Sequence, residues 1–500
     1  MSLGFFRGQS NTANPAAIED YFMPDFTFNI EDRGLQYLGA TRIEGPLVVV
    51  KRIRDVGYDE TVDILGPDGR PRIGRVLDIS ETQAVVQVLE GTSGLSNQTL
   101  RIRFLGESFR LPVSRQMLGR VFDGLGRPAD GGAPPLSADR RDVNGLPINP
   151  FARRYPREFI QTGLSAIDGM NALVRGQKLP IFSGNGLPHD RVSAQIVRQA
   201  RLLEEKTEFS IVFAAMGIKH DVAEFFIRNF RESGALARAV MFFSLADAPS
   251  VERLLTPRVA LTLAEHLAFD CGQHVLVLLT DMTNYCESLR EVGTARGEIP
   301  GRKGYPGYLY SDVASLYERA GRIESSSGSI TQIPILTMPA DDISHPVPDL
   351  TGYITEGQIV LDRDLFQRSV YPPIAGLPSL SRLMKDGVGK GFTREDHPAL
   401  ASQLFAGYAY VKRVRALSDV IGEEELSALD KLYLKFGEAL EHRFLSQGEF
   451  ENRSIATTLD LGWEVLSLLP RDELHRVSDE MLKQHYLEKT VATPAPLTEI

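Results

Sequence analysis

Between residues 178 and 281 the chain repeats one pattern: a short apolar run, a stretch of helical periodicity, then another apolar run. Lys178-Leu179-Pro180-Ile181-Phe182, Phe209–Ala215, Ala239–Ser244 and His274–Thr280 are the apolar runs. A strand wetted on one side alternates apolar and polar residues; these runs do not. They therefore predict strands buried on both faces. The segments between them, Asp190–Glu205, the stretch around Phe225–Phe230 and Val259–Ala268, predict helices. Doubly buried strands alternating with helices specify a mostly parallel sheet with helices on each side.

The flanking regions follow other patterns. From about residue 40 to 105 short Val- and Ile-rich runs recur at Leu47–Val50, Thr61–Ile64, Ile73–Ile79, Ala84–Leu89 and Thr99–Phe104. Pro67-Asp68-Gly69 and Gly91-Thr92-Ser93-Gly94 punctuate them, so a small β-barrel or sandwich is expected. Residues 119–150, rich in Gly, Pro and Asp, predict a connector with little regular structure. Beyond residue 375 the periodicity is helical. His397–Val414 is one candidate. Leu426, Leu429, Tyr433, Phe436, Leu440 and Phe444 form an amphipathic stripe, and residues 471–488 predict a further surface helix. A chain of 500 residues accommodates about three domains. The expected division is an extension over 1–35, a β-barrel over 36–108, an α/β domain over 109–375, a helical domain over 376–490 and a tail over 491–500.

Composition removes several function classes. Lys and Arg number 55 against 65 Asp and Glu, a formal charge of −10. That disfavours general binding to nucleic acid while leaving room for a local basic site. The two cysteines, Cys271 and Cys286, form neither a disulfide framework nor a multi-cysteine metal site. No metal site is expected. No apolar run reaches 18 residues, and the N-terminus has no signal-peptide core, so a soluble protein of a reducing compartment is expected.

The most informative local segment is Ser183-Gly184-Asn185-Gly186-Leu187-Pro188-His189-Asp190. It joins a predicted strand to a predicted helix, the place where open α/β sheets bind phosphate on free backbone amides. A working phosphate loop also needs a Lys for the β/γ-phosphates and a Ser or Thr for Mg²⁺. Here His189 stands at the Lys position and Asp190 at the hydroxyl position, and Pro188 has no amide hydrogen to offer. One lost charge-assisted hydrogen bond costs roughly 1.5–3 kcal/mol, so this loop should bind Mg·ATP poorly and hydrolyse it worse. The apolar strand His274–Thr280 ends at Asp281, the pattern that holds magnesium-bound water in nucleotide hydrolases.

Longer motifs carry a family resemblance. Glu158-Phe159-Ile160-Gln161-Thr162-Gly163, Ser165–Met170 and Leu173–Phe182 lead into the degenerate loop. Leu279–Cys286, Gly301–Tyr308, Gly328–Pro334 and Pro378-Ser379-Leu380-Ser381-Arg382-Leu383-Met384 follow. Together, over about residues 40–460, these resemble the B subunit of V-type and archaeal-type (V/A) rotary ATPases.

The resemblance implies an N-terminal β-barrel, a central RecA-like fold and a C-terminal helical domain. It implies a non-catalytic, regulatory subunit, three copies of which alternate with three catalytic A subunits around a rotor, together with central and peripheral stalk subunits. It places the chain peripherally on the cytoplasmic face of the membrane, touching it only through the ion-translocating sector. No cofactor is required by this chain itself; ATP or ADP with Mg²⁺ would sit at the interface with A. Arg382 matches the family's arginine finger, which reaches in trans to the nucleotide held by A. Catalytic relatives carry Gly-Glu-Arg after the strand that follows the phosphate loop. This chain reads Gly217-Ile218-Lys219 there, and Ile cannot polarise water. Asp221 and Glu224 are the nearby acids that could substitute. Tyr308, Tyr310 and Tyr353 could meet a nucleotide base or the neighbour, or simply pack. Cys286 is expected as buried packing and His345 as a loop residue. Two alternatives are a self-contained ATPase with an unusual loop, which the absent Lys and Ile218 oppose, and an RNA-translocating RecA-like hexamer, which the acidity opposes.

Overall fold

The computed structural model describes residues 36–488 apart from 52, 54 and 204–208. The expected extension over 1–35 and tail over 491–500 lie outside the described residues.

Seven strands come first: β1 Gln36–Leu38, β2 Arg42–Glu44, β3 Leu47–Lys51, β4 Glu60–Leu65, β5 Pro71–Ile79, β6 Gln83–Val88 and β7 Arg101–Ser108. They form one antiparallel sheet in the order β1-β7-β4-β5-β6-β3-β2. Laid flat, the outermost strands would stand about 29 Å apart at 4.8 Å per step. Only residues 39–41 join β1 to β2, a reach of roughly 14 Å from Leu38 to Arg42. The sheet must therefore curl on itself, and Val48, Val62, Val76, Val86 and Ile102 fill its inside. The turn glycines Gly69, Gly91 and Gly94 have positive φ, as turns at those points require.

The central sheet contains β8 Val121–Asp123, β9 Ile181–Gly184, β10 Phe209–Ile218, β11 Ala239–Leu245, β12 His274–Thr280, β13 Ser329–Met338, β14 Gly357–Val360 and β15 Leu380–Ser381. Its order is β15-β14-β9-β13-β12-β10-β11-β8, parallel from β14 to β8, with β15 antiparallel at the edge. Both faces are buried, with period two. Ile211, Phe213 and Ala215 face one apolar cluster; Val212, Ala214 and Met216 face the other. On the first face lie α1 His189–Gln199 and α2 His220–Glu232; on the second lie α3 Ser250–Glu265 and α4 Met282–Ala295.

The C-terminal part holds α5 His397–Ile421, α6 Ala428–Ala439, α7 Ile455–Leu466 and α8 Asp479–His485. Its apolar residues Leu404, Phe436, Phe444 and Trp463 belong to the same continuous cluster as Phe213 and Phe226, so the helical part and the α/β sheet share a core. Polar contacts reinforce the join. Gln447 accepts from the Ser165 amide at 2.9 Å and donates to the Gly163 carbonyl at 2.9 Å. Glu441, on the turn after α6, accepts from Arg415 and Tyr408 of α5 and from Arg368 of the α/β part.

Three expectations need correction. The helix predicted to Glu205 stops at Gln199, and residues 201–202 pair as a strand with 160–161 instead; Glu205 itself lies outside the described residues. Arg238 causes the stop by donating to the carbonyls of Val197, Arg198 and Ala200, the acceptors a helix end leaves free. The connector at 119–150 contributes β8 to the central sheet, because β11 offers it a free parallel edge. Residues 471–488 form only a short turn at 471–473 and α8, interrupted by an irregular segment at 474–478. Among the described residues no helix is long and apolar enough to cross a membrane.

Candidate functional site

The loop after β9 occupies the position a phosphate loop needs, at the carboxyl end of a central parallel strand and before α1. Its interior is already committed. The Leu187 amide donates to the Gly184 carbonyl at 3.1 Å, and the His189 amide donates to the Leu187 carbonyl at 2.9 Å. Pro188 offers no hydrogen. Gly186 has φ +80°, so the turn itself requires glycine there. The His189 ring does not point at the cradle as a lysine would; its Nδ1 meets Ser183 Oγ at 3.0 Å. Its other nitrogen stands 3.5 Å from Asp190. Burial raises the Asp190 pKa, His189 lowers it, and the nearby carboxylates of Asp281 and Asp221 raise it further.

Two residues that local sequence reasoning missed close this site. Asp341, after β13, lies directly over Gly184: a methyl group built on Gly184 would fall 1.9 Å from the Asp341 carboxylate. Arg363 grips that carboxylate with two nitrogens, at 2.7 and 3.0 Å, and donates to the Asn185 carbonyl at 2.9 Å. The Arg363 guanidinium holds the Asp341 pKa below its ordinary value. The loop therefore carries a carboxylate of its own, pinned by an arginine, where phosphate charge would have to enter. These groups do not fit Mg·ATP at this loop. The amides of Leu187 and His189 are spent, and Asp190, Asp281 and Asp341 surround the entrance.

Asp281 caps α4 by accepting from the Thr283 amide at 2.8 Å and also accepts from the Thr337 amide at 3.1 Å. Ile218 ends β10 as a buried apolar residue, while Asp221 and Glu224 are exposed on α2. Among the described residues no group of three His, Cys, Asp or Glu side chains could hold a metal ion. Cys286 is buried and unpaired. His345 caps the helix Pro346–Ile354. Tyr308, Tyr310 and Tyr353 are exposed and well separated in sequence from the loop.

Arg382 lies at the other end of the sheet. Ser381 pairs with Gly357 at the start of β14, and the Arg382 amide donates to the Glu356 carbonyl at 2.9 Å. β13 provides a ruler for the separation. Lys178, whose amide donates to the Glu356 carboxylate at 2.8 Å, lies opposite Gln332, and Gly184 lies opposite Met338. Six residues at about 3.3 Å each put the anchor of Arg382 roughly 20 Å from the chain's own loop. Its guanidinium is exposed and makes one hydrogen bond, a long 3.4 Å contact from Nη1 to the Thr355 carbonyl. Among the described residues no carboxylate pairs with it. An exposed arginine with a fixed backbone and no counter-ion is available to an anion from outside the chain.

Comparisons with known proteins agree on each of the three parts. Residues 40–106 match the β-barrel domain of the ATP synthase alpha/beta family, residues 163–381 its nucleotide-binding domain, and residues 386–486 the C-terminal domain of V and A type ATP synthase. The V-type ATP synthase beta chain of Halothermothrix orenii is 62% identical over 451 residues, covering 90% of this chain and 97% of that protein. The V-type ATP synthase beta chain 2 of Treponema pallidum is 62% identical over 453 residues, covering 91% and 94%. Among solved structures, the ATP synthase subunit NeqB from Nanoarcheaum equitans superposes with a TM-score of 0.68 at 41% identity, covering 85% of this chain and 100% of that one. A barrel, a parallel sheet covered by helices and a helical domain in this order, with identity of this extent, mean that the chain belongs to the V-type ATP synthase beta chains of the ATP synthase alpha/beta family.

Proposed function

We propose that this chain is the non-catalytic B subunit of a V/A-type rotary ATPase, alternating with three copies of a catalytic A subunit and supplying Arg382 to the nucleotide that A holds. The observation that carries this reading is the unpaired guanidinium of Arg382, whose backbone anchor lies about 20 Å from a loop that its own carboxylates close. The chain cannot bring the two together, so the arginine serves a neighbour. At that neighbour's site it would face charge growing on the γ-phosphate, which strengthens a guanidinium contact in the transition state more than in the ground state. The family's name supports ATP turnover coupled to ion translocation. The chain would then sit on the cytoplasmic face of the membrane, attached through stalk and ion-translocating subunits.

Arg382→Ala in the reconstituted complex tests the assignment. A finger is worth about 10³- to 10⁵-fold in rate, so ATPase turnover should fall by that order while the complex still assembles. Unchanged turnover would remove Arg382 from the mechanism. Purified chain alone should hydrolyse ATP negligibly, with or without RNA, which separates this reading from a self-contained ATPase and from an RNA-driven hexamer.

A further inference from the structure

Arg382 is exposed and unpaired in a neighbourhood that contains a carboxylate able to capture it. Its amide bonds the Glu356 carbonyl and its guanidinium touches the carbonyl of Thr355, the residue before. Glu356 is therefore the acid nearest in the chain to the arginine's contact, yet its carboxylate is turned away. Both of its oxygens are held by one residue: Oε1 lies 3.0 Å from Lys178 Nζ, and Oε2 accepts from the Lys178 amide at 2.8 Å. The Lys178 side chain is 4% exposed, and its ammonium also meets Glu318 at 2.7 Å. Glu318 has a second partner in Arg153 at 2.6 Å, whereas Lys178 is the cation that Glu356 has among the described residues.

The preceding residue completes the device. Gln177 donates to the Ser381 hydroxyl at 3.0 Å and to the Glu356 carbonyl at 3.2 Å. Adjacent residues at the amino end of β9 thus hold the Ser381–Arg382 backbone and occupy the competing carboxylate.

We infer that Lys178 is a positioning residue for the reaction at the neighbour's site: by sequestering Glu356 it keeps the Arg382 guanidinium free to meet phosphate. This rests on the assignment of Arg382 as the finger. A buried ammonium is a costly residue to place, and the half-buried Glu356 carboxylate could have taken a partner from its solvent side. Its burial beneath the finger's anchor fixes the geometry of Glu356 in a way a mobile surface lysine would not. Without it, Glu356 would be free to turn toward Arg382, the residue its own carbonyl is bonded to across the strands, and a paired guanidinium no longer offers its donors to phosphate.

The test uses the complex reassembled with the catalytic subunit. Lys178→Met should lower kcat at least about tenfold, a part of the ~10³- to 10⁵-fold that the finger supplies, with little change in KM for ATP. Lys178→Met/Glu356→Gln should recover most of that loss, since the captor is neutral. A merely structural role for Lys178 predicts the opposite, because the second substitution removes further contacts. Lys178→Gln, which retains hydrogen bonding, should show the same kcat defect and the same rescue, and serves if the Met variant does not assemble. Full activity of either single variant, or a double variant no better than the single, would overturn the proposal. Arg382→Ala measured alongside separates the two ideas: if it too is fully active, the finger assignment has failed; if it alone is impaired, only the role of Lys178 has.

Discussion

Glu441→Gln is expected to loosen the join between the helical part and the α/β sheet, by an amount that depends on pH in a defined direction. The side chain is 1% exposed and accepts five hydrogen bonds. Arg368 donates at 2.6 and 3.1 Å, Arg415 at 2.7 and 3.0 Å, and the Tyr408 hydroxyl at 2.7 Å. Burial acts to raise the carboxyl pKa, but Arg415, Arg368 and Tyr408 outweigh it and bring it from 4.5 to about 2. A depression of that size corresponds to ~3 kcal/mol. Breaking a buried pair by removing one partner independently suggests ~3–5 kcal/mol. The lower figure is the better guide, because Arg368 is 41% and Arg415 26% exposed and each can turn to water. The folded-state pKa is depressed, so the stabilisation is complete above pH 4.5 and is lost as pH falls toward 2. By pH 3 more than half of it should be gone. Urea titrations of both proteins, followed by circular dichroism, should differ by ~3 kcal/mol at pH 7 and by less than half of that at pH 3. Equal stability at pH 7, or a difference unaffected by pH, would refute the reasoning.

Other outcomes follow from single contacts. Asp341→Asn should free Arg363 and let the loop bind pyrophosphate measurably by calorimetry, with no gain in ATP hydrolysis because Pro188 and Asp190 remain; undetectable binding would count against the closure. Gly437→Ala should destabilise the α5–α6 packing by about 1–3 kcal/mol, because the added methyl falls 2.4 Å from a Val411 methyl; thermal unfolding reads this. Arg238→Ala should leave three carbonyls at the end of α1 without their donor and cost about 1–2 kcal/mol, with faster amide exchange confined to residues 196–202.

What the chain disclosed in advance was whatever it encodes locally. The apolar runs at 209–215 and 274–280 announced doubly buried strands, since burial on both faces removes polar residues from the run itself. The disabled loop was legible residue by residue, because a phosphate site needs particular groups at fixed spacing. What stayed hidden depends on distant partners. Three residues, Val121–Asp123, become a strand only because β11 offers an edge. The stop at Gln199 is imposed by Arg238, nearly forty positions later in the chain. Asp341 and Arg363 lie far from Gly184 in sequence and have no local signature. The residue type of Arg382 could be read, but not its lack of a counter-ion, which depends on where Lys178 draws Glu356.

The opposite placement of the closed loop and Arg382 has a geometric consequence. A protomer with unlike groups on its two ends is a vector: one end offers a cation, and the other is closed by its own carboxylates. Two such chains cannot meet face to face and use both, so isologous pairing is incomplete by construction. Head-to-tail contact leaves no end unused only when the array closes. A closed circle of vectors has a sense of circulation. Handedness of this kind is present in each separate subunit before any shaft turns, and a machine that rotates in a preferred direction requires parts that are chiral in this way.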